Sequence, residues 1–135
     1  MSSLNIESKL PQVGTTIFTT MSQLAMQHQA LNLSQGFPDY PIDEHLLALV
    51  EKYNQQGFHQ YAPMIGVAAL REQIKIMYQN VNGVTYHADE EITIHAGASE
   101  AIFNTLAALI SAGDEVIIFE PAYDCYSPTI KLLGG

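Results

Sequence analysis

The 135-residue chain has the length of one modest domain, and 47% apolar residues make it an ordinary globular composition rather than a disordered one. Fourteen acidic residues against five basic ones leave a net charge of −9, which excludes nucleic acid as a natural partner, because that ligand is held by Lys and Arg neutralising phosphates. No apolar run approaches the roughly 20 residues that span a bilayer, and the polar opening MSSLNIESKL lacks the apolar core of a signal peptide, so a cytoplasmic protein without membrane contact is expected.

In chain order, residues 1–16 show no strong period and contain Pro11 and Gly14, which reads as an extended arm. IFTTMSQLAMQHQ then places Ile17, Met21, Leu24 and Ala25 at helical spacing, and ALNLS is a short apolar strand. QGFPDYP is a loop broken by Gly36, Pro38 and Pro41. Asp43 is a candidate cap for a helix whose apolar stripe, from Leu46 to Tyr53, runs to a stop at Gly57. FHQYAPMIG is a second aromatic loop. From Val67 to Asn80 the spacing of Val67, Leu70, Ile74 and Met77 or Tyr78 describes the clearest amphipathic helix, with Arg71 and Lys75 read as surface charge.

EITIHA has the alternation of a strand, EAIFNTLAALI reads as a helix, and VIIFE is the apolar run of a strand covered on both faces. Strand, helix and strand in this order form a βαβ unit, so the fold class is α/β. PAYDCYSPTIKLLGG reads as a closing helix with Gly134 as its stop. The apolar second strand demands neighbours that the remaining sequence is too short to supply, and the chain therefore reads as the N-terminal part of a larger protein.

Two places can carry chemistry. In HAGASEAIF a helix starts directly after a strand, with little side chain to block its first N–H groups; this is either a tight turn capped by Ser99 or an anion seat to which Ser99 adds a hydroxyl. GxGxxG and GxxxxGK[ST] are both absent, which leaves a phosphorylated ligand smaller than a dinucleotide or nucleotide. In FEPAYD, Tyr123 stands at the carboxyl end of the next strand, either as a core residue or as a flat face for a planar cofactor. The five histidines have no metal-ligand spacing, and no metal is expected; the lone Cys125 reads as a small buried hydrophobe.

Taken together, GTTIFTTMSQLA, LNLSQGFPDY, HQYAPMIGVAALRE, EITIHAGASEAIF, GDEVIIFEPAYDCY and the closing LGG resemble the fold type I, pyridoxal-phosphate-dependent aminotransferases of class I/II, especially the kynurenine and methionine aminotransferase branch. The resemblance implies an N-terminal arm and substrate-side segment over 1–45 and the start of the large cofactor-binding domain, with its sheet and flanking helices, over 46–135. It places Ala98 and Ser99 in the loop that holds the phosphate of pyridoxal 5′-phosphate, and Tyr123 on the pyridine ring. Tyr61 matches a tyrosine that reaches the cofactor of a neighbouring subunit, implying a homodimer. Gly36 would lie beside the substrate carboxylate and Phe18 would line the side-chain pocket. The substrates implied are an amino acid and a 2-oxo acid.

The family's cofactor-bonding lysine belongs to later segments. None of Lys9, Lys52, Lys75 and Lys131 lies in its motif, so no catalytic residue is assigned and the chain alone is expected to be inactive. A C–S β-lyase built on the same cup, and a non-catalytic interaction module, are the alternatives.

Overall fold

The computed structural model describes residues 6–36 and 38–135; residues 1–5 of the expected arm and Phe37 of the QGFPDYP loop lie outside them. Five helices follow one another: α1 (Ile17–Gln27), α2 (Glu44–Gln55), α3 (Ala68–Asn82), α4 (Ala98–Leu109) and α5 (Tyr126–Leu133). Each coincides with a segment of helical period in the sequence. Their ends are set by local chemistry. The Thr16 side chain accepts from Thr19 N–H to start α1, and the Asp43 carboxylate accepts from His45 and Leu46 N–H to start α2, a device worth about 1 kcal/mol.

The described residues gather into two compact units, one formed by residues 6–36 with Gly97–Gly135, the other by Pro38–Ala96. In the first unit α4 packs on α5, and Ile130 is its buried apolar centre. Ile102 and Leu106 of α4 line an apolar groove with Tyr126 and Ile130 of α5 and with Ile118. The C-terminus closes on the same unit: Gly113 N–H donates to Gly134 O at 2.8 Å and Gly135 N–H to Ile130 O at 3.0 Å.

The expected strands are the part of the architecture that the structure does not show. Among the described residues ALNLS, EITIHA and VIIFE carry no strand, and no β-ladder forms. Alternation and β-branching favour an extended backbone, whereas a strand exists only when a neighbour takes its N–H and C=O groups. Ile117 and Phe119 are accordingly 86% and 88% exposed, where the sequence led us to expect cover on both faces.

Arg71 also departs from expectation. It is 4% exposed, the least accessible polar side chain among those described, and it organises the second unit. Its Nε donates to Ala88 O at 2.9 Å, Nη1 to Gly66 O, and Nη2 to Asp89 Oδ1 at 2.6 Å. One guanidinium thus joins the loop before α3 to the turn at 87–91. Gly66 sits in that loop with φ +97°, and a Cβ there would overlap the Ile94 side chain. Lys75, by contrast, pairs with Glu72 at 2.9 Å on a partly exposed face, as surface charge does.

Candidate functional site

The first unit assembles its polar and aromatic groups around the start of α4. Gly97 precedes the helix with φ +115°, a conformation costly for any residue with a Cβ, and among the described residues no side chain caps the helix behind it. Ser99 is the second residue of α4, two positions after the Gly97 cap, where the sequence had suggested a capping role. Its hydroxyl turns elsewhere, to 3.1 Å from the hydroxyl of Tyr123. Gly97, Ala98 and Ser99 are all exposed. The positive end of a 12-residue helix therefore faces solvent beside two exchangeable O–H donors.

Tyr123 is 41% exposed and has two aromatic neighbours. Phe18, from the first turn of α1, lies 6.2 Å away between centroids and is tilted by 50°; Tyr126 lies 5.9 Å away, edge-on at 82°. Neither ring stacks flat upon it. Tyr123 thus meets two tilted rings in an aromatic cluster while retaining accessible ring surface.

The segment leading to Gly36 is tied to α1 by amides. Gln35 Nε2 donates to Phe18 O and to Ser22 Oγ, each at 2.8 Å, and Asn32 Nδ2 donates to the same Ser22 Oγ at 3.3 Å. The Gln35 orientation is fixed by chemistry, since a backbone carbonyl can only accept. Gly36 follows with open backbone: among the described residues nothing lies within 4 Å of where its Cβ would be.

Of the sequence-predicted residues, Ala98, Ser99, Tyr123, Phe18 and Gly36 thus fall in one unit. Tyr61 belongs to the other, in the loop between α2 and α3, and its side chain is fully exposed. Cys125 is half-buried between Tyr123 and Tyr126, and burial, helped by the Asp124 carboxylate, pushes its thiol above the ordinary value against a smaller opposing effect of a backbone hydrogen bond. A thiol shifted in this direction is a poor nucleophile at neutral pH. No group of three His, Cys, Asp or Glu able to hold a metal occurs among the described residues, and no described helix is long and apolar enough to cross a membrane.

Two features escaped the sequence reading. Gln35 carried no signal, because its acceptors are 17 and 13 residues away. Arg71 did carry one: it is four residues after Val67 and three before Ile74, within the apolar stripe itself, and its charge misdirected the reading to the solvent side.

The α4 N-terminus, the hydroxyl pair and the accessible Tyr123 ring suit a ligand that joins an anionic group to a planar ring, and pyridoxal 5′-phosphate has that composition. Comparison with known proteins bears on this directly. The profile of the aminotransferase class I and II family matches residues 28–135. The chain is 54% identical over 129 residues to methionine aminotransferase of Escherichia coli K12, covering 96% of this chain and 33% of that protein. It is 38% identical over 128 residues to a probable N-succinyldiaminopimelate aminotransferase of Mycobacterium tuberculosis, covering 95% and 32%. The crystal structure of YbdL from Escherichia coli, for which a methionine aminotransferase function was identified, superimposes with a TM-score of 0.90 at 53% identity, over 98% of this chain and 35% of that one. The chain therefore spans about a third of the length of the relatives it matches.

Proposed function

The chain belongs to the class I and II aminotransferase family, and from that membership we propose that it is the cofactor-seating portion of an enzyme that moves an amino group from an amino acid to a 2-oxo acid. The observation that carries this reading is the start of α4, where an exposed helix N-terminus, without a side-chain cap among the described residues, adjoins the Ser99 and Tyr123 hydroxyls. Bound pyridoxal 5′-phosphate supplies the electron sink for the transfer. The residues of this chain bind and orient it. The first-turn N–H groups at Ala98 and Ser99 and the Ser99 hydroxyl donate to the phosphate, and Tyr123 offers its accessible ring to the pyridine.

On the substrate side, the open backbone at Gly36 receives the carboxylate, while Phe18 bounds the space for the side chain. Tyr61, fully exposed on its own subunit, is free to reach the phosphate held by a second copy in a cytoplasmic homodimer. The division at 45/46, between a substrate-side segment and the start of the large domain and its sheet, belongs to the same proposal. The donor class is methionine or an aromatic or kynurenine-like amino acid, and the name of the 54% identical relative supports the first of these. The chain alone, without a lysine in the cofactor-bonding motif, is inactive.

The test uses the full-length protein that carries these residues, loaded with cofactor and given methionine and a 2-oxo acid. Loss of the visible cofactor band, with stoichiometric appearance of the new amino acid, is expected. Pyruvate and ammonia in place of a transferred amino group would reassign the site to C–S β-elimination, and absence of both would sink the enzymatic reading.

A further inference from the structure

We infer that Gln35 is a specificity-determining positioning residue: it sets the distance between the Gly36 backbone and the Phe18 ring, and through it the length of amino-acid side chain that fits. The inference rests on the proposed roles of Gly36 and Phe18 as the two substrate-facing walls. These residues are far apart in sequence, and nothing in their own chemistry fixes their separation. Gln35 spans the gap with one amide group. Its Nε2 donates at 2.8 Å to Phe18 O in the first turn of α1 and at 2.8 Å to Ser22 Oγ one turn later, and the next peptide unit is Gly36.

Three features make this a clamp rather than a chance surface contact. Both N–H groups of the amide are used, so the side chain cannot rotate without losing two bonds. The tether has a second strand, since Asn32 Nδ2 reaches Ser22 Oγ at 3.3 Å while Asn32 Oδ1 accepts from Ser34 N–H at 3.0 Å and Ser34 Oγ at 2.6 Å. Finally, Phe18 is not fixed by burial: it is 38% exposed and meets Tyr123 at a tilted 6.2 Å, which leaves its position responsive to the backbone it hangs from. The Phe18 carbonyl that Gln35 grips belongs to that backbone. Gln35 touches neither cofactor nor substrate and acts through Phe18 and Gly36.

The experiment is a donor series, alanine, methionine and phenylalanine, with the full-length cofactor-loaded protein and its Gln35→Leu and Gln35→Glu variants. Gln35→Leu keeps the volume and removes the donor; Gln35→Glu faces the Phe18 carbonyl with an acceptor. For methionine and phenylalanine, KM should rise about tenfold with kcat changed by less than about twofold, the magnitude of one or two lost hydrogen bonds. Alanine, too short to reach Phe18, should keep its KM within about twofold. The dissociation constant of hexanoate, an unreactive carboxylate read by its shift of the cofactor absorbance, should rise in parallel. Ser22→Ala, which spares the Phe18 bond, should give an intermediate change. Equal losses for all three donors, or an unchanged profile in an active protein, overturns the inference while leaving amino transfer intact. Absence of transfer by the unsubstituted protein overturns the aminotransferase reading itself, and the positioning role falls with it.

Discussion

The two units hold their polar groups in opposite ways. Around Arg71 a guanidinium is withdrawn from water and bonded to Gly66 O, Ala88 O and Asp89 Oδ1, on segments before and after α3. Around Ser99 two hydroxyls meet at 3.1 Å beside an exposed helix N-terminus, and each can exchange its partner for a ligand oxygen without opening any buried contact. The first arrangement is complete as it stands, because a buried charge is tolerated only with its donors satisfied. The second is assembled but open. A buried polar cluster does not by itself mark a binding site; in this chain the buried cluster bonds its own backbone and reads as scaffold, and the exposed, under-committed one is the candidate site.

If the Arg71 region is scaffold, breaking it should cost stability, and the largest loss is expected at Gly66. An added Cβ would lie 2.6 Å from Ile94 Cβ, a branch point that no rotamer can move, at a φ of +97°. Gly66→Ala should therefore destabilise by about 3 kcal/mol, the combined scale of left-handed strain and overpacking. The readout is hydrogen exchange at Ile94 N–H, which donates to Ile65 O at 3.0 Å; its rate should rise on the order of 100-fold. Adding Ile94→Ala should restore part of the protection. Arg71→Met comes next, at about 2 kcal/mol, since it preserves the stem but leaves two carbonyls without their donor. Arg71→Lys should recover less than half of that, because one ammonium cannot reach three acceptors laid out for a planar fork. Asp89→Asn should change little, its side chain being 71% exposed. Unchanged exchange in Arg71→Met would remove the contrast between the regions.

How much of this was legible in the sequence depends on the range over which each feature is encoded. The helices were legible because period and caps lie within a few residues of one another: Asp43 starts α2, and the stripe from Val67 to Tyr78 marks α3. Of the candidate site, a turn of small residues and a tyrosine were visible in the sequence, and only the family resemblance joined them; the structure brings the Ser99 and Tyr123 hydroxyls within 3.1 Å. What stayed hidden depends on distant partners. VIIFE has every local property of a central strand, yet strand character belongs to a pair, and the described residues contain no partner for it. The Ser99–Tyr123 bond spans 24 residues and the Arg71–Asp89 pair 18, and residue type at either end says nothing of the meeting. Arg71 is the instructive middle case: its position in the apolar stripe was readable, but position was outweighed by charge.

The open region gives smaller effects of a different kind. Ser99→Ala and Tyr123→Phe each remove one hydroxyl of an exposed pair, and each should leave stability within about 0.5 kcal/mol of the parent. In the full-length protein Ser99→Ala should weaken binding of pyridoxal 5′-phosphate by about tenfold, the scale of one charge-assisted hydrogen bond, as measured by equilibrium dialysis. Tyr123→Phe retains the ring and should weaken binding by less than about threefold, whereas Tyr123→Ala, which removes the stacking surface, should exceed it. Should Ser99→Ala destabilise the fold as strongly as Arg71→Met does, the open region would be scaffold after all.

The smallest expected effect tests how open that region is. Cys125 lies between Tyr123 and Tyr126, and its thiol is raised chiefly by burial and then by the neighbouring Asp124 carboxylate. Both causes disfavour the thiolate, so the folded chain keeps the proton to higher pH than the unfolded chain does. This group's contribution to stability is therefore fully present below the unfolded pKa and fades as pH rises through the folded one. Because only the thiolate attacks iodoacetamide, alkylation near pH 8 should be slower in the folded chain than in urea, once the reagent's own urea dependence is subtracted with a free-thiol peptide. Asp124→Asn should recover the smaller part of the difference, since the carboxylate is the lesser cause. An alkylation rate equal in folded and unfolded chains would mean that folding does not disfavour the Cys125 thiolate, and that the region is more open than the partial burial of Cys125 indicates.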